Sequence, residues 1–307
     1  MYTTPSVMPL AEGERGIPVR PPTPTRIRDT EFRWGTKTYV MGILNVTFDS
    51  FSGDGLIAAA GSEFVRAATE QAQQMLAEGA DMLDVGGQST RPGHSEIPLD
   101  DEMARVVHVI RAIRVVAPDV PLSVDTTRAR VAEAALDAGA DIVNDIWGVA
   151  AEDGILKLAA ERGTPIVLMH NRAEPRYRNV VAEVLADLSA ALDKALAAGV
   201  RWEQTIVDPG IGFGKTADQN LAVLHDLHLL AALGRPVLLG TSRKSTIGKV
   251  LDLPADQRVE GTMATTALAV DAGVDIIRVH DIEPNVRVAR MADAIVRGGW
   301  REEEVTR

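Results

Sequence analysis

A (β/α)8 TIM barrel in a single domain is the fold class predicted by three features of the sequence. From residue 39 onward, short β-branched runs alternate with alanine-rich stretches of helical length. Eight of these runs are apolar along most of their length, the pattern of parallel strands buried on both faces. Glu78-Gly-Ala-Asp81, Ala138-Gly-Ala-Asp141 and Ala272-Gly-Val-Asp275 form a weak internal repeat, each just ahead of a strand. Glycine there supplies the left-handed cap of the preceding helix and drops the chain into the strand. Eight such units close most naturally into a barrel, the other solution being an open doubly wound sheet. The 307 residues exceed the common length of one domain, but barrels of this kind reach it as one unit.

Residues 1–30 carry Pro5, Pro9, Pro18, Pro21, Pro22 and Pro24 and read as a disordered leader. They lack the basic start and apolar middle of a signal peptide. Residues 31–307 form the barrel domain. Its strands are expected at Tyr39–Val46, Met82–Gly86, Leu122–Asp125, Ile142–Ile146, Ile166–His170, Thr205–Asp208, Val237–Ser242 and Ile276–His280. Each is short and rich in residues that favour a pleated, buried surface. The amphipathic stretches Glu63–Glu78, Arg128–Ala138, Val180–Ala198 and Gly261–Ala272 supply covering helices. No internal linker interrupts the alternation.

A hydrophobic content of 46% and a charged content of 24% suit a soluble globular protein. The absence of cysteine excludes disulfides, thiolate metal sites and cysteine nucleophiles. A net charge of -11 argues against nucleic acid or an anionic membrane as partner. A small anionic substrate, which needs only a few local cations, stays open. No stretch reaches the ~18 apolar residues of a membrane span. A cytoplasmic location is the expectation.

In such barrels, side chains at the carboxyl ends of the strands face the active site. Taken in order these are Asn45, Asp84 with Gly86-Gly87, Asp125, Asn144 with Asp145, His170, Asp208, Ser242 with Lys244, and Arg278 with His280. Stability asks for none of them. One alone reads equally well as a solvated loop residue, but the whole set marks a polar site in the mouth. Asp125 and Asp208 lie on different strands and would converge there. Buried carboxylates are costly unless partnered. A ligand with a guanidine-like N–H edge, such as a pterin, would satisfy both; the alternative is that each caps its own loop.

Asp208-Pro-Gly-Ile-Gly-Phe-Gly-Lys-Thr216 ends like a Walker A loop. Pro209, however, stands where the first glycine is required and removes an amide from any phosphate cradle. The spacing also misses the dinucleotide-binding fingerprint. The loop is better read as turning Asp208 inward and laying Phe213 over a flat ligand. Arg91, Lys244 and Arg278, with His280, form the cationic side of the mouth and suit phosphate oxygens. Ser242-Arg-Lys-Ser245 follows the seventh strand and opens a short helix, where barrels commonly bind anions. The six histidines show no His-Glu-x-x-His pattern, so zinc is not expected. A hydrated Mg2+ held by Asn45 and substrate phosphates would be compatible.

The first strand ends in Asn45 and runs into a loop of small, polar and acidic residues through Gly55. Together, Met41–Gly55, Asp84–Gly93, Ser123–Thr126, Val143–Gly148, Met169–Arg172, Asp208–Thr216, Gly240–Ser245 and Arg278–Asp281 resemble the dihydropteroate synthase family, over residues 38–298. Each segment alone is weak; eight in order on successive strand ends are specific. The resemblance implies a barrel, usually dimeric, that joins 6-hydroxymethyl-7,8-dihydropterin diphosphate to p-aminobenzoate with release of diphosphate. It implies catalytic roles for Asp125, Asp208, Lys244 and Arg278. The pterin would be held by Asp125, Asn144, Asp208 and Lys244, with Ile146, Met169 and Phe213 around it. Asn45, Thr90, Arg91, Arg278 and His280 would serve the diphosphate, with Asn45 also on Mg2+. Thr47, Phe48, Phe51, Ser52, Pro92 and Ser242 would enclose p-aminobenzoate.

Such a reaction needs no nucleophile or triad. A cation developing on the pterin methylene spreads into the ring, and placed charges stabilise it and the leaving group. Two positions depart from the family pattern: Gln88 stands for its usual glutamate and Phe48 for its proline. The second replaces a φ-fixed residue by a bulky ring, and raises the expectation of altered sulfonamide response. Tetrahydrofolate-dependent corrinoid methyltransferases share a similar barrel, but lack the Ser/Asp/Gly first loop. A non-catalytic pterin- or protein-binding relative is the third reading, with the diphosphate residues against it.

Overall fold

The computed structural model describes residues 21–46, 59–88, 97–147 and 153–298. Two short strands, β1 (Thr25–Ile27) and β2 (Thr30–Phe32), pair antiparallel ahead of the barrel. The eight parallel strands follow as β3 (Tyr39–Asn45), β4 (Met82–Gly86), β5 (Leu122–Asp125), β6 (Ile142–Asp145), β7 (Ile166–Met169), β8 (Thr205–Asp208), β9 (Leu238–Leu239) and β10 (Ile276–Val279). Their order around the sheet is β8-β7-β6-β5-β4-β3-β10-β9. A parallel bridge between Val207 and Val237 joins its two ends. The expected closed barrel is therefore present, with every expected strand in its place. The seventh is reduced to two residues, Leu238 and Leu239, paired with Ile276 and Ile277 of β10.

Helices α1 (Ala59–Ala77), α2 (Leu99–Val116), α3 (Ala129–Ala138), α4 (Asp153–Arg162), α5 (Val180–Ala197), α6 (Ala217–His225), α7 (Ser245–Leu251), α8 (Val259–Asp271) and α9 (Ile282–Val296) lie between and after the strands. Their apolar stripes cover the outward strand residues in one continuous core that includes Val85, Val124, Val143 and Leu168. Inside the barrel, Met41, Met82, Ile142, Val167, Ile206, Leu238 and Ile276 form a second cluster. Among the described residues, no helix is long and apolar enough to cross a membrane.

Part of the expected leader is ordered. Residues 1–20 lie outside the described residues, but Thr25–Phe32 form the hairpin that closes the amino-terminal end of the barrel. Ile27, Phe32 and Trp34 join the interior cluster and are buried. Phe32, Trp34 and Tyr39 stack with ring centroids 4.8–5.6 Å apart. Trp34 Nε1 donates to Thr25 Oγ1, and that hydroxyl donates to the Glu203 carbonyl, each at 2.9 Å. Three-residue strands carry too little period-2 pattern to be seen against the prolines beside them.

The repeat does more than cap helices. Gly79, Gly139 and Gly273 have φ of +104°, +114° and +83°, the left-handed cap expected. The aspartate after each glycine pairs with the adjacent strand through backbone and side chain together. The Asp81 carboxylate accepts from the Val40 amide at 2.8 Å, Asp141 from Leu122 at 2.9 Å and Asp275 from Val237 at 3.0 Å. Each aspartate's own amide donates to the carbonyl of that same residue.

Candidate active site

The mouth is organised around a buried guanidinium. Arg278 on β10 donates from Nε to Asp84 Oδ2 at 2.5 Å and from Nη2 to Asp125 Oδ2 at 2.6 Å. Asn144 Nδ2 donates to the same Asp84 oxygen at 3.0 Å. Strands β4, β5, β6 and β10 are thus tied together in a layer where all four side chains are largely hidden from solvent. Burial opposes the charge of Arg278, but Asp84 and Asp125 outweigh it and hold it charged beyond its usual range. Burial pushes Asp125 up to about 7, with Arg278 pulling the other way. Asp84 Oδ1 and Asp125 Oδ1 are buried without a hydrogen-bond partner, which leaves acceptors to be met by a ligand or water.

A second pair of charges stands beside the first, after β8 and β9. Asp208, at the end of β8, accepts the Gly210 amide at 2.7 Å, and burial raises its carboxyl while Lys244 lowers it. Lys244 caps α7, donates to the Ile211 carbonyl, and sits 4.6 Å from the centre of the Phe213 ring. Burial lowers its ammonium to about 8, against the pull of Asp208. Ile146 and Met169, at the ends of β6 and β7, are buried apolar residues at the same end of the barrel.

The loop carrying Phe213 needs its glycines. A Cβ at Gly210 would lie 1.8 Å from the His170 carbonyl oxygen, and one at Gly214 2.3 Å from that of Arg172. Both also have positive φ, so the pattern serves close backbone packing and not a phosphate cradle. After β9 and β10, Ser242 Oγ accepts the His280 amide at 3.1 Å and lies 2.9 Å from His280 Nδ1. His280 Nε2 lies 3.4 Å from Asn45 Nδ2.

Asn45, Asp125, Asn144, Ile146, Met169, Asp208, Phe213, Ser242, Lys244, Arg278 and His280 therefore share one end of the barrel. Thr47, Phe48, Phe51, Ser52, Thr90, Arg91 and Pro92 lie outside the described residues. Asp84 joins them as a residue whose role the strand-end pattern does not reveal; its signal in the sequence is a carboxylate inside the otherwise apolar run Met82–Gly86. Arg243, in the same segment as Lys244, pairs with Asp281 through Nε at 2.9 Å. Among the described residues, no group of three His, Asp or Glu is arranged to hold a metal. Asn45, the donor expected from the sequence, offers a neutral carboxamide compatible with a Mg2+ that keeps its waters and binds mainly through substrate phosphates.

The family model described as "Pterin binding enzyme" matches residues 41–280. The chain is 48% identical over 263 residues to a dihydropteroate synthase of Bacillus subtilis, covering 86% of this chain and 90% of the relative. It is 46% identical over 274 residues to one of Clostridium beijerinckii, covering 89% and 99%. Among solved structures, a Clostridium difficile dihydropteroate synthase in the presence of pteroic acid has a TM-score of 0.83 and 43% identity, over 87% of this chain and 99% of that one. A Xanthomonas albilineans enzyme in complex with 7,8-dihydropteroate has a TM-score of 0.76 and 38% identity, over 84% and 94%.

Proposed function

The chain belongs to the dihydropteroate synthase family of pterin-binding enzymes, and from that premise we propose that it condenses 6-hydroxymethyl-7,8-dihydropterin diphosphate with p-aminobenzoate. The products are 7,8-dihydropteroate and diphosphate. The observation that carries the reading is Asp125 Oδ1, a buried acceptor without a partner, in the layer that Arg278 ties together and that faces Asp208 and Lys244. A pterin edge brings the N–H donors that such acceptors require. Phe213, held against Lys244, provides the ring face for a flat heterocycle.

The bond from the pterin methylene to the diphosphate oxygen breaks first, its electron pair leaving with the diphosphate. Asp125 and Asp208 stabilise the cation that spreads into the ring. The p-aminobenzoate nitrogen then attacks the methylene and loses a proton. Arg278 and His280 face the leaving group, with Thr90 and Arg91 assigned to it by resemblance. Asn45 would hold Mg2+ against the diphosphate, where the ion neutralises charge on the departing oxygens. Ser242 and the first two loops, through Thr47, Phe48, Phe51, Ser52 and Pro92, would enclose p-aminobenzoate and exclude water.

A homodimer accompanies this reading. Leu268 of α8 and Met291 and Ile295 of α9 are exposed, on two helices that pack together, an apolar surface suited to a second subunit. A cytoplasmic location belongs to the same proposal and fits a chain without cysteine. Phe48 is proposed to narrow the site against sulfonamides, which project beyond the volume of p-aminobenzoate. Equal inhibition of the native chain and Phe48→Pro would sink that part.

The test is diphosphate release with Mg2+, with and without p-aminobenzoate, while sulfamethoxazole is titrated in. Release that requires p-aminobenzoate and yields dihydropteroate is expected. Tight pterin binding with no turnover would mean a binding protein instead.

A further inference from the structure

Lys215 follows the loop that carries Phe213 and has no part in the chemistry above. Its ammonium nevertheless points inward. Nζ lies 2.8 Å from His170 Nδ1, 3.0 Å from the Gly210 carbonyl and 3.2 Å from the Phe213 carbonyl. A lysine ammonium has three donors, and each has an acceptor. His170 Nδ1 must then accept, so Nε2 carries the proton and donates to Asp187 Oδ2 at 3.1 Å. Asp187 is held in turn by Arg172, through Nε at 2.8 Å and Nη2 at 2.7 Å.

The same loop is tied from other sides. Tyr177 donates to the Gly214 carbonyl at 2.8 Å, Lys244 to that of Ile211, and the Gly212 amide to Asn220 Oδ1 at 2.8 Å. Only Lys215 bonds two of these carbonyls at once, and they bracket the turn between Asp208 and Phe213. The amine takes the place that a bound cation occupies in other loops.

We propose that Lys215 is a positioning residue for pterin recognition: its ammonium, oriented by His170 and Asp187, folds residues 208–215 around itself and so aims Phe213 and Asp208 at the pterin. This rests on the synthase reading and adds a determinant outside the ligand contacts. The charged groups facing the amine are Asp208 on β8, Lys244 at α7, Asp187 on α5 and Arg172 after β7. Burial lowers His170 to about 4, so it is neutral at physiological pH, as its acceptor role requires; burial lowers Lys215 to about 7, so the ammonium form, and with it this arrangement, belongs to pH values at and below about 7.

The experiment compares the full chain with Lys215→Met and Asp187→Asn. Steady-state kinetics are run in both substrates, with calorimetric titration of 6-hydroxymethylpterin and urea unfolding. The expected result is a rise on the order of tenfold in pterin Kd and in KM for pterin diphosphate for Lys215→Met. KM for p-aminobenzoate should stay within about twofold, since only the pterin side loses its aim. Asp187→Asn should shift the same two constants in the same direction by less, because a neutral carboxamide holds the His170 N–H more weakly than the carboxylate does. Unchanged pterin affinity in a folded Lys215→Met protein would overturn the proposal, as would equal weakening of both substrates. Should Lys215→Met not fold, Asp187→Asn decides, with unchanged pterin affinity again the overturning result. No pterin binding by the unsubstituted chain would overturn the synthase reading itself, and this inference with it.

Discussion

Asp125 is held between burial, which favours its protonated form, and Arg278, which favours the anion, and it settles at about 7. A pterin donating N–H bonds to it would favour the anion. Pterin binding at about pH 6 is therefore expected to release a proton, read as a binding enthalpy that depends on the ionisation heat of the buffer. Asp125→Asn should abolish that dependence and lower kcat/KM for pterin diphosphate on the order of 100-fold. Asp145 carries a different consequence. Burial raises it to about 6, although its Oδ1 accepts the Trp147 amide at 2.9 Å; its Oδ2 has no partner. The folded-state value lies above that of the unfolded chain, so the protonated form stabilises the fold below about 4, and this contribution is lost as pH rises through about 6. Asparagine mimics the protonated form at every pH. Asp145→Asn should match the native chain in urea unfolding at about pH 3 and exceed its stability by up to about 3 kcal/mol at about pH 7.5.

Among the elements, the glycine-rich loop and the Gly-x-Asp turns show how far sequence reading reaches. Left-handed glycines were legible because helix end and strand start bracket them. The aspartates of the turns were not, since a charged residue between helix and strand looks the same whether it faces solvent or pairs with the next strand. In the 208–216 loop the sequence allowed Phe213 to be assigned to a ligand face, yet Lys215 carried only a false Walker resemblance. Its acceptors come from β7 and the loop itself, a convergence invisible in linear spacing. Gly210→Ala tests the loop: a Cβ 1.8 Å from the His170 carbonyl forces the turn open. The variant should lose at least about 2 kcal/mol in denaturant unfolding and most of its pterin affinity in the same titration used for the native chain.

At the scale of the molecule, the two ends of the barrel are specialised. One holds the polar mouth, while the hairpin plugs the other with Phe32, fully buried against Trp34 and Tyr39. Phe32→Ala should lower stability by roughly 3–5 kcal/mol in denaturant unfolding without a change in either KM, since the plug and the mouth lie at opposite ends. Ile295→Glu places a charge in the exposed strip of α8 and α9. It should convert the proposed dimer to monomer in sedimentation, and an unchanged sedimentation coefficient would remove that surface from consideration.

The alternation of apolar runs and amphipathic stretches determined the barrel, the strand positions and which residues end the strands, because burial on two faces and a 3.6-residue period are local properties of sequence. Motif order determined the family and placed Asp125, Asn144, Asp208, Lys244 and Arg278 at the mouth. Only the tertiary structure decided that Arg278 is shared between Asp84 and Asp125, that Thr25–Phe32 close the barrel, and that the Lys215 ammonium meets His170 and two carbonyls of its own loop. Each joins groups far apart in the chain, at distances set by barrel closure, and no periodicity along the sequence records them.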